Sequence, residues 1–180
     1  MIILGIDPGY DRMGLAVLEK NNGKETLLCS ECVKTNRKDS HEKRLLQIGK
    51  SIENAALKHK PDVMAIEKLF FTTNQKTAIK VSEARGTALY VAAKYGLRVV
   101  ELTPLEIKMA LTGYGKAEKF QVQKMVAAIL KIDISQKIDD EIDAIAAAIA
   151  CPTRSLNSRR KREIIRSVIF YKHSLFATAA

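Results

Sequence analysis

Four acidic residues stand where acids are costly. Asp7 closes the apolar run Ile2-Ile3-Leu4-Gly5-Ile6 and precedes Pro8-Gly9, and Glu67 closes the run Val63-Met64-Ala65-Ile66. Asp140 and Asp143 lie three apart, just ahead of Ala144-Ile145-Ala146-Ala147-Ala148-Ile149. A carboxylate at the end of a buried strand is expensive unless something uses it. Four that converge make an oxygen-only site suited to hard divalent cations. Two such ions about 3.5–4 Å apart can activate an attacking water and neutralise the leaving oxygen of a phosphodiester. In a chain of formal net charge +10, this points to metal-dependent cutting of nucleic acid.

Each acid has an ordinary reading as well. Asp7-Pro8-Gly9 fits a turn after a strand. Glu67 could pair with Lys68 or Lys34, and Asp139 or Asp140 could cap a helix. Spacing also leaves a choice open. Asp140 and Asp143 share a helix face at i and i+3, and Asp139 and Asp143 share one at i and i+4.

The elements that must position these residues follow from periodicity and turn chemistry. Strands are expected at Ile2–Asp7, Met13–Glu19 and Glu25–Lys34, with Asn21-Asn22-Gly23 as a hairpin turn. Leu45, Leu46, Ile48, Ile52, Ala55 and Ala56 recur at helical spacing within Ser40–Lys58. Val63–Leu69 reads as a fourth strand, apolar on both faces and therefore central. A helix over Gln75–Tyr95, a strand over Leu97–Leu102 and helices over Pro104–Leu111, Ala117–Leu130 and Asp140–Ala150 complete the series. This order predicts an α/β fold: three antiparallel strands, then parallel crossovers, in a mixed five-stranded sheet flanked by helices. Asp7 and Glu67 both fall at strand C-terminal ends, where such sheets place sites.

The 180 residues suit one core domain, expected over 1–151, followed by a basic tail over 152–180. From Arg154 onward there are seven Lys/Arg against the single acid Glu163. Ile164, Val168, Tyr171 and Leu175 recur there at helical spacing, so the tail reads as a helix. Cys29 and Cys32 have C-x-x-C spacing, but within a strand they point to opposite faces. With no second pair, free thiols are expected there and at Cys151. His41, His59 and His173 form no ligand cluster in the sequence. No leader is expected at the start and no stretch suits a membrane span, so a soluble, cytoplasmic protein with no membrane role is expected.

Several stretches, in order, carry a family resemblance. They are Gly5-Ile6-Asp7-Pro8-Gly9, Ile66-Glu67-Lys68-Leu69-Phe70-Phe71, Ala84-Arg85-Gly86, Thr103-Pro104-Leu105-Glu106-Ile107-Lys108, Gly113-Tyr114-Gly115-Lys116-Ala117-Glu118-Lys119 and Asp140-Glu141-Ile142-Asp143-Ala144. The chain resembles the bacterial RuvC-type Holliday junction resolvases, which have a ribonuclease H-like fold. The resemblance implies metal ligation and catalysis by Asp7, Glu67, Asp140 and Asp143, aligning Asp140 rather than Asp139. It implies two Mg²⁺ ions per site, with Mn²⁺ as a substitute. It also implies a homodimer, joined partly through the helix over Gln75–Tyr95, that nicks four-way DNA junctions symmetrically in recombination and repair. A partnership with the RuvA–RuvB branch-migration complex follows from the same likeness.

By resemblance Phe70 inserts at the junction crossover and stacks on a base, a contact worth about 1–3 kcal/mol. Lys108 and Lys119 match basic positions near the scissile phosphate. Lys116, Arg85, Lys76 and Arg12 are further phosphate-contact candidates. For each lysine the plain alternative is an exposed helix residue, and for Phe71 it is the core. Three other functions compete: a relative acting on RNA, a module that binds junctions without cutting, and an actin-like ATPase. The last needs two such domains, more than 180 residues hold.

Overall fold

A computed structural model describes residues 1–69 and 75–153, and for Gln75 and Lys76 the backbone alone. Phe70, Phe71 and the tail from residue 154, each with a role expected from the sequence, lie outside the described residues. Five strands form one sheet: β1 (Ile2–Asp7), β2 (Arg12–Asn21), β3 (Lys24–Lys34), β4 (Val63–Glu67) and β5 (Arg98–Leu102). The helices are α1 (His41–His59), α2 (Gln75–Lys94), α3 (Pro104–Thr112), α4 (Lys119–Leu130) and α5 (Asp139–Ala150). The strand order is β3-β2-β1-β4-β5. The β1–β2 and β2–β3 pairs are antiparallel, and the β1–β4 and β4–β5 pairs are parallel. This is the mixed sheet that the order of elements predicts. Its middle strand is β1, however, with β4 beside it, and β4 stops at Glu67 rather than Leu69.

Side chains alternate across each strand, so the sheet makes two cores. On one face Ile3, Ala16, Leu18, Val63 and Ala65 pack with Ile107, Val122, Val126, Ile142 and Ile145 from α3, α4 and α5. On the other, Leu4, Ile6, Leu15, Val17, Met64 and Ile66 pack with Ile48, Ile52, Ala84, Ala88 and Val91 from α1 and α2. Among the described residues no helix is long and apolar enough to cross a membrane.

Helix α5 lies unusually close to the sheet, and its alanines allow this. A Cβ on Gly14 of β2 would overlap the Asp140 carbonyl oxygen. One on Gly5 of β1 would overlap the Ala144 carbonyl oxygen and crowd Ala148. These two glycines let α5 rest on β1, which carries Asp7, and on its neighbour β2. Gly14→Ala is therefore expected to push the first turn of α5 outward, at a cost of about 1–3 kcal/mol from overpacking. Metal-dependent nicking should fall by more than the stability loss explains. Thermal melting and initial rates measured on the same preparation would separate the two effects.

Candidate active site

Asp7 and Glu67 are neighbours because β1 and β4 run parallel in register, with Ile6 opposite Ile66. Both carboxylates therefore leave the same end of adjacent strands, about 5 Å apart in the pairing direction. On its other side Asp7 pairs with Gly14, and Gly14 touches the Asp140 backbone. Asp143 lies one turn along α5 from Asp140, on the same face.

The electrostatics reflect this convergence. Burial pushes the Asp7 carboxyl up to about 7, helped by the negative charges of Asp143, Glu67 and Asp140. Burial also raises Glu67, with Asp143 adding to the effect. Burial raises Asp143 too, against the opposing pull of Lys119. Lys119 Nζ donates to Asp143 Oδ2 at 2.9 Å and lies 3.4 Å from Asp139 Oδ2. Burial works against its charge, but the hydrogen bonds and negative charges of Asp143 and Asp139 together outweigh this and raise the ammonium.

The structure also separates Asp139 from Asp140. The Asp139 side chain is 63% exposed and the Asp140 side chain 18%. Asp139 reaches outward to Lys119 and accepts from Gln123 Nε2 at 3.0 Å. Neither acid caps α5, contrary to the capping expectation. The N-cap is Ile138, and both aspartates fall in the first turn, where a negative charge still suits the helix dipole.

Arg12 Nε is 3.2 Å from Asp140 Oδ2. That oxygen is buried, yet no donor is aligned on it for a hydrogen bond. The proximity and the missing bond are compatible, because an N–H can lie close without pointing at its acceptor. A buried carboxylate oxygen without a hydrogen bond, in an all-oxygen cluster, fits a hard cation. As the side chains stand, no three acidic, His or Cys groups among the described residues grip a single ion. The chain's own cations, Lys119 and Arg12, hold Asp143 and Asp140 instead.

The remaining candidates are scattered more widely. Lys108 is half-buried on α3, and Lys116 is exposed before α4. Arg85 turns to β5, where its guanidinium pairs with Glu101 at 2.8 Å. The Lys76 side chain lies outside the described residues. Glu67 forms no ion pair with Lys68 or Lys34 among the described residues. Cys29, Cys32 and Cys151 are free thiols.

One group escaped the sequence reading. Arg44 is 6% exposed. It donates from Nε to Thr35 Oγ1 at 2.9 Å and from Nη2 to the Tyr10 carbonyl at 3.3 Å, and it also binds Asp11. Its guanidinium lies 3.8 Å from the centre of the Tyr10 ring. The signal was present in the sequence. Arg44 stands four residues before Ile48, on the apolar stripe of α1, where an unpaired charge could not stay.

Comparison with known proteins bears on the fold and the family. The family profile described as crossover junction endodeoxyribonuclease RuvC matches residues 3–151. A crossover junction endodeoxyribonuclease RuvC of Petrotoga mobilis is 45% identical over 148 residues, covering 82% of this chain and 91% of the relative. The Thermus thermophilus RuvC structure superposes with a TM-score of 0.77 at 33% identity, over 83% of this chain and 92% of its own. The same protein in complex with a Holliday junction substrate gives 0.79, at the same identity and coverage. With its fold and most of its length matched, this chain belongs to the crossover junction endodeoxyribonuclease RuvC family.

Proposed function

We propose that the chain resolves four-way DNA junctions by paired, symmetric, metal-dependent nicks, with Asp7, Glu67, Asp140 and Asp143 as the metal-holding, catalytic set. The observation that carries this reading is the buried Asp7 carboxyl, pushed up to about 7 by burial and further by the negative charges of Asp143, Glu67 and Asp140. Bound Mg²⁺, as two ions with Mn²⁺ as a substitute, would supply water activation and charge neutralisation at the leaving oxygen. The protein's own part is positioning. Parallel strand ends fix Asp7 and Glu67, and the first two turns of α5 fix Asp140 and Asp143. Lys119, already at the cluster, is placed to meet a phosphate once Asp143 is otherwise engaged. Lys108, Lys116, Arg12, Arg85 and Lys76 would add phosphate contacts, and Phe70 would stack at the crossover.

A homodimer suits a substrate with two-fold symmetry. α2 supports this arrangement, since Ile79 and Tyr90 remain 61% and 63% exposed while Ala84, Ala88 and Ala92 are buried. In this reading residues 1–151 form the nuclease domain, the basic tail over 152–180 adds DNA affinity, and the RuvA–RuvB complex is the partner.

The test is cleavage of a labelled synthetic four-way junction, with and without Mg²⁺, beside a linear duplex and an RNA hairpin. Symmetric nicks confined to the junction and to the metal are expected. Tight junction binding without cutting in either metal would overturn the enzyme reading, and cutting of the RNA alone would overturn the substrate.

A further inference from the structure

Next to the carboxylate cluster is an open cavity of about 360 Å³, lined by Tyr10, Asp11, Arg12, Thr77, Lys80, Val81 and Asp140. It lies between the loop that follows β1 and the face of α2. Its volume is in the range of small-ligand sites, about 300–1,000 Å³, enough for one nucleotide. The two acids in its lining are already compensated. Arg12 lies on Asp140 at 3.2 Å, and Asp11 is held by Arg44 and by Arg37 at 3.0 Å. Lys80 is exposed and pairs with no carboxylate among the described residues. Its ammonium lies 5.4 Å from the centre of the Tyr10 ring. The cavity thus offers a cation without a carboxylate partner, a threonine hydroxyl and an arginine, beside the acids that would hold the metal.

The loop wall is unusually well fixed. Thr35 Oγ1 donates to the Tyr10 carbonyl at 2.7 Å, and the Thr35 N–H donates to the Asp11 carbonyl at 3.0 Å. The Tyr10 hydroxyl meets His41 Nδ1 at 2.8 Å, and His41 Nε2 lies 3.0 Å from Glu83 on α2. Arg44, Thr35 and the Tyr10 carbonyl form the buried part of this network, and His41 and Glu83 form its half-exposed end. A fully satisfied buried polar network rigidifies what it holds. Here the buried part holds the segment between Asp7 and Arg12, and the half-exposed pair of His41 and Glu83 reaches from it to α2.

We propose that this cavity seats one nucleotide of the cleaved strand beside the scissile phosphate, with Lys80 and Arg12 on its phosphate and Arg44 fixing the loop wall. The inference rests on the junction-cutting reading and assigns that site a flanking subsite. Lys80 and Arg12 would contact the strand directly, and Arg44 is a positioning residue.

The test pairs Lys80→Ala with junctions carrying one neutral methylphosphonate, placed in turn at each of the two phosphates on either side of the scissile one. On the unmodified junction Lys80→Ala should lower the nicking efficiency by about tenfold, the size of one charge-assisted contact. It should also reduce the salt slope of junction binding, measured in EDTA, by about one. At one flanking position the methylphosphonate should cost the wild type a similar factor and cost Lys80→Ala almost nothing more. Strictly additive losses at every flanking position would overturn the subsite. Failure of the wild type to cut junctions would instead overturn the function on which it rests. For the wall, Arg44→Lys keeps the charge but loses the planar fork. It should lower the nicking rate at saturating junction, and the methylphosphonate dependence should flatten. An unchanged dependence in a folded Arg44→Lys protein would remove Arg44 from the subsite.

Discussion

Asp140→Asn is expected to lower the nicking rate by at least about 10³-fold, the scale set by losing a group that stabilises charge in a transition state. Asp139→Asn should leave it within about twofold of the wild type, the range of an exposed surface contact. The two residues are adjacent in sequence, equally acidic and both in the first turn of α5, so the contrast isolates position. Asp140 helps raise the Asp7 carboxyl, whereas Asp139 faces Lys119 and Gln123 at the surface. Asparagine keeps the shape of aspartate and removes its charge, so junction binding should survive Asp140→Asn. Asp7→Asn, Glu67→Gln and Asp143→Asn should behave in the same way. Nicking of a labelled junction in Mg²⁺, with binding measured in EDTA, reports both properties. An active Asp140→Asn beside an inactive Asp139→Asn would reverse the assignment.

This contrast marks where the sequence stopped being informative. Asp7 and Glu67 could be read directly, because a polar residue ending an apolar run is visible without three-dimensional information. Their adjacency required only that β1 and β4 pair in parallel, which the order of elements implied. The choice between Asp139 and Asp140 depends on which way α5 is rotated against the sheet. That rotation is set by Gly5 and Gly14 meeting Ala144, Ala148 and the Asp140 backbone. Two glycines on separate strands and a helix more than 120 residues further on leave no local trace of such a contact. The same limit explains Arg85. Its position in a matching motif suggested DNA, but its partner Glu101 comes from another element. It also explains β4, whose apolar character on both faces marks an interior strand without saying which one is central. Arg44 is a different case. Its place on an apolar stripe was legible, and the partners Thr35, Tyr10 and Asp11 were not, because they gather only once β2 and β3 have paired.

The metal-free protein should become more stable as pH falls from about 8 toward about 5, against the common trend of acid destabilisation. Above about 7 the Asp7 carboxyl is charged in both the folded and the unfolded chain, and the folded state carries the full cost of holding it among other acids. Between about 7 and the ordinary value of 3.8 the folded state keeps a proton that the unfolded chain has released. Folding is therefore favoured by proton uptake across that window. Glu67 and Asp143 are shifted in the same direction. Asp11, Glu42, Glu106, Asp133 and Glu141 are held below their usual values by hydrogen bonds and nearby cations. Their contribution is lost only in more acidic solution, so they leave the interval from 8 to 5 to the cluster. For Asp7 the full shift is worth at most about 4 kcal/mol at 1.36 kcal/mol per pKa unit, of which about 2.7 kcal/mol falls between pH 8 and 5. Melting temperatures in EDTA should rise by about 5–10 °C across the interval, given roughly 2–4 °C per kcal/mol for a chain of this length. Asp7→Asn should melt higher than the wild type at pH 8 in EDTA and show a flatter pH dependence. Saturating Mg²⁺ should reverse the order, because a cation that binds only the folded state stabilises the charged cluster. A wild-type melting temperature that falls with acidification in EDTA, or that ignores Mg²⁺ at pH 8, would mean that the four carboxylates do not share one site.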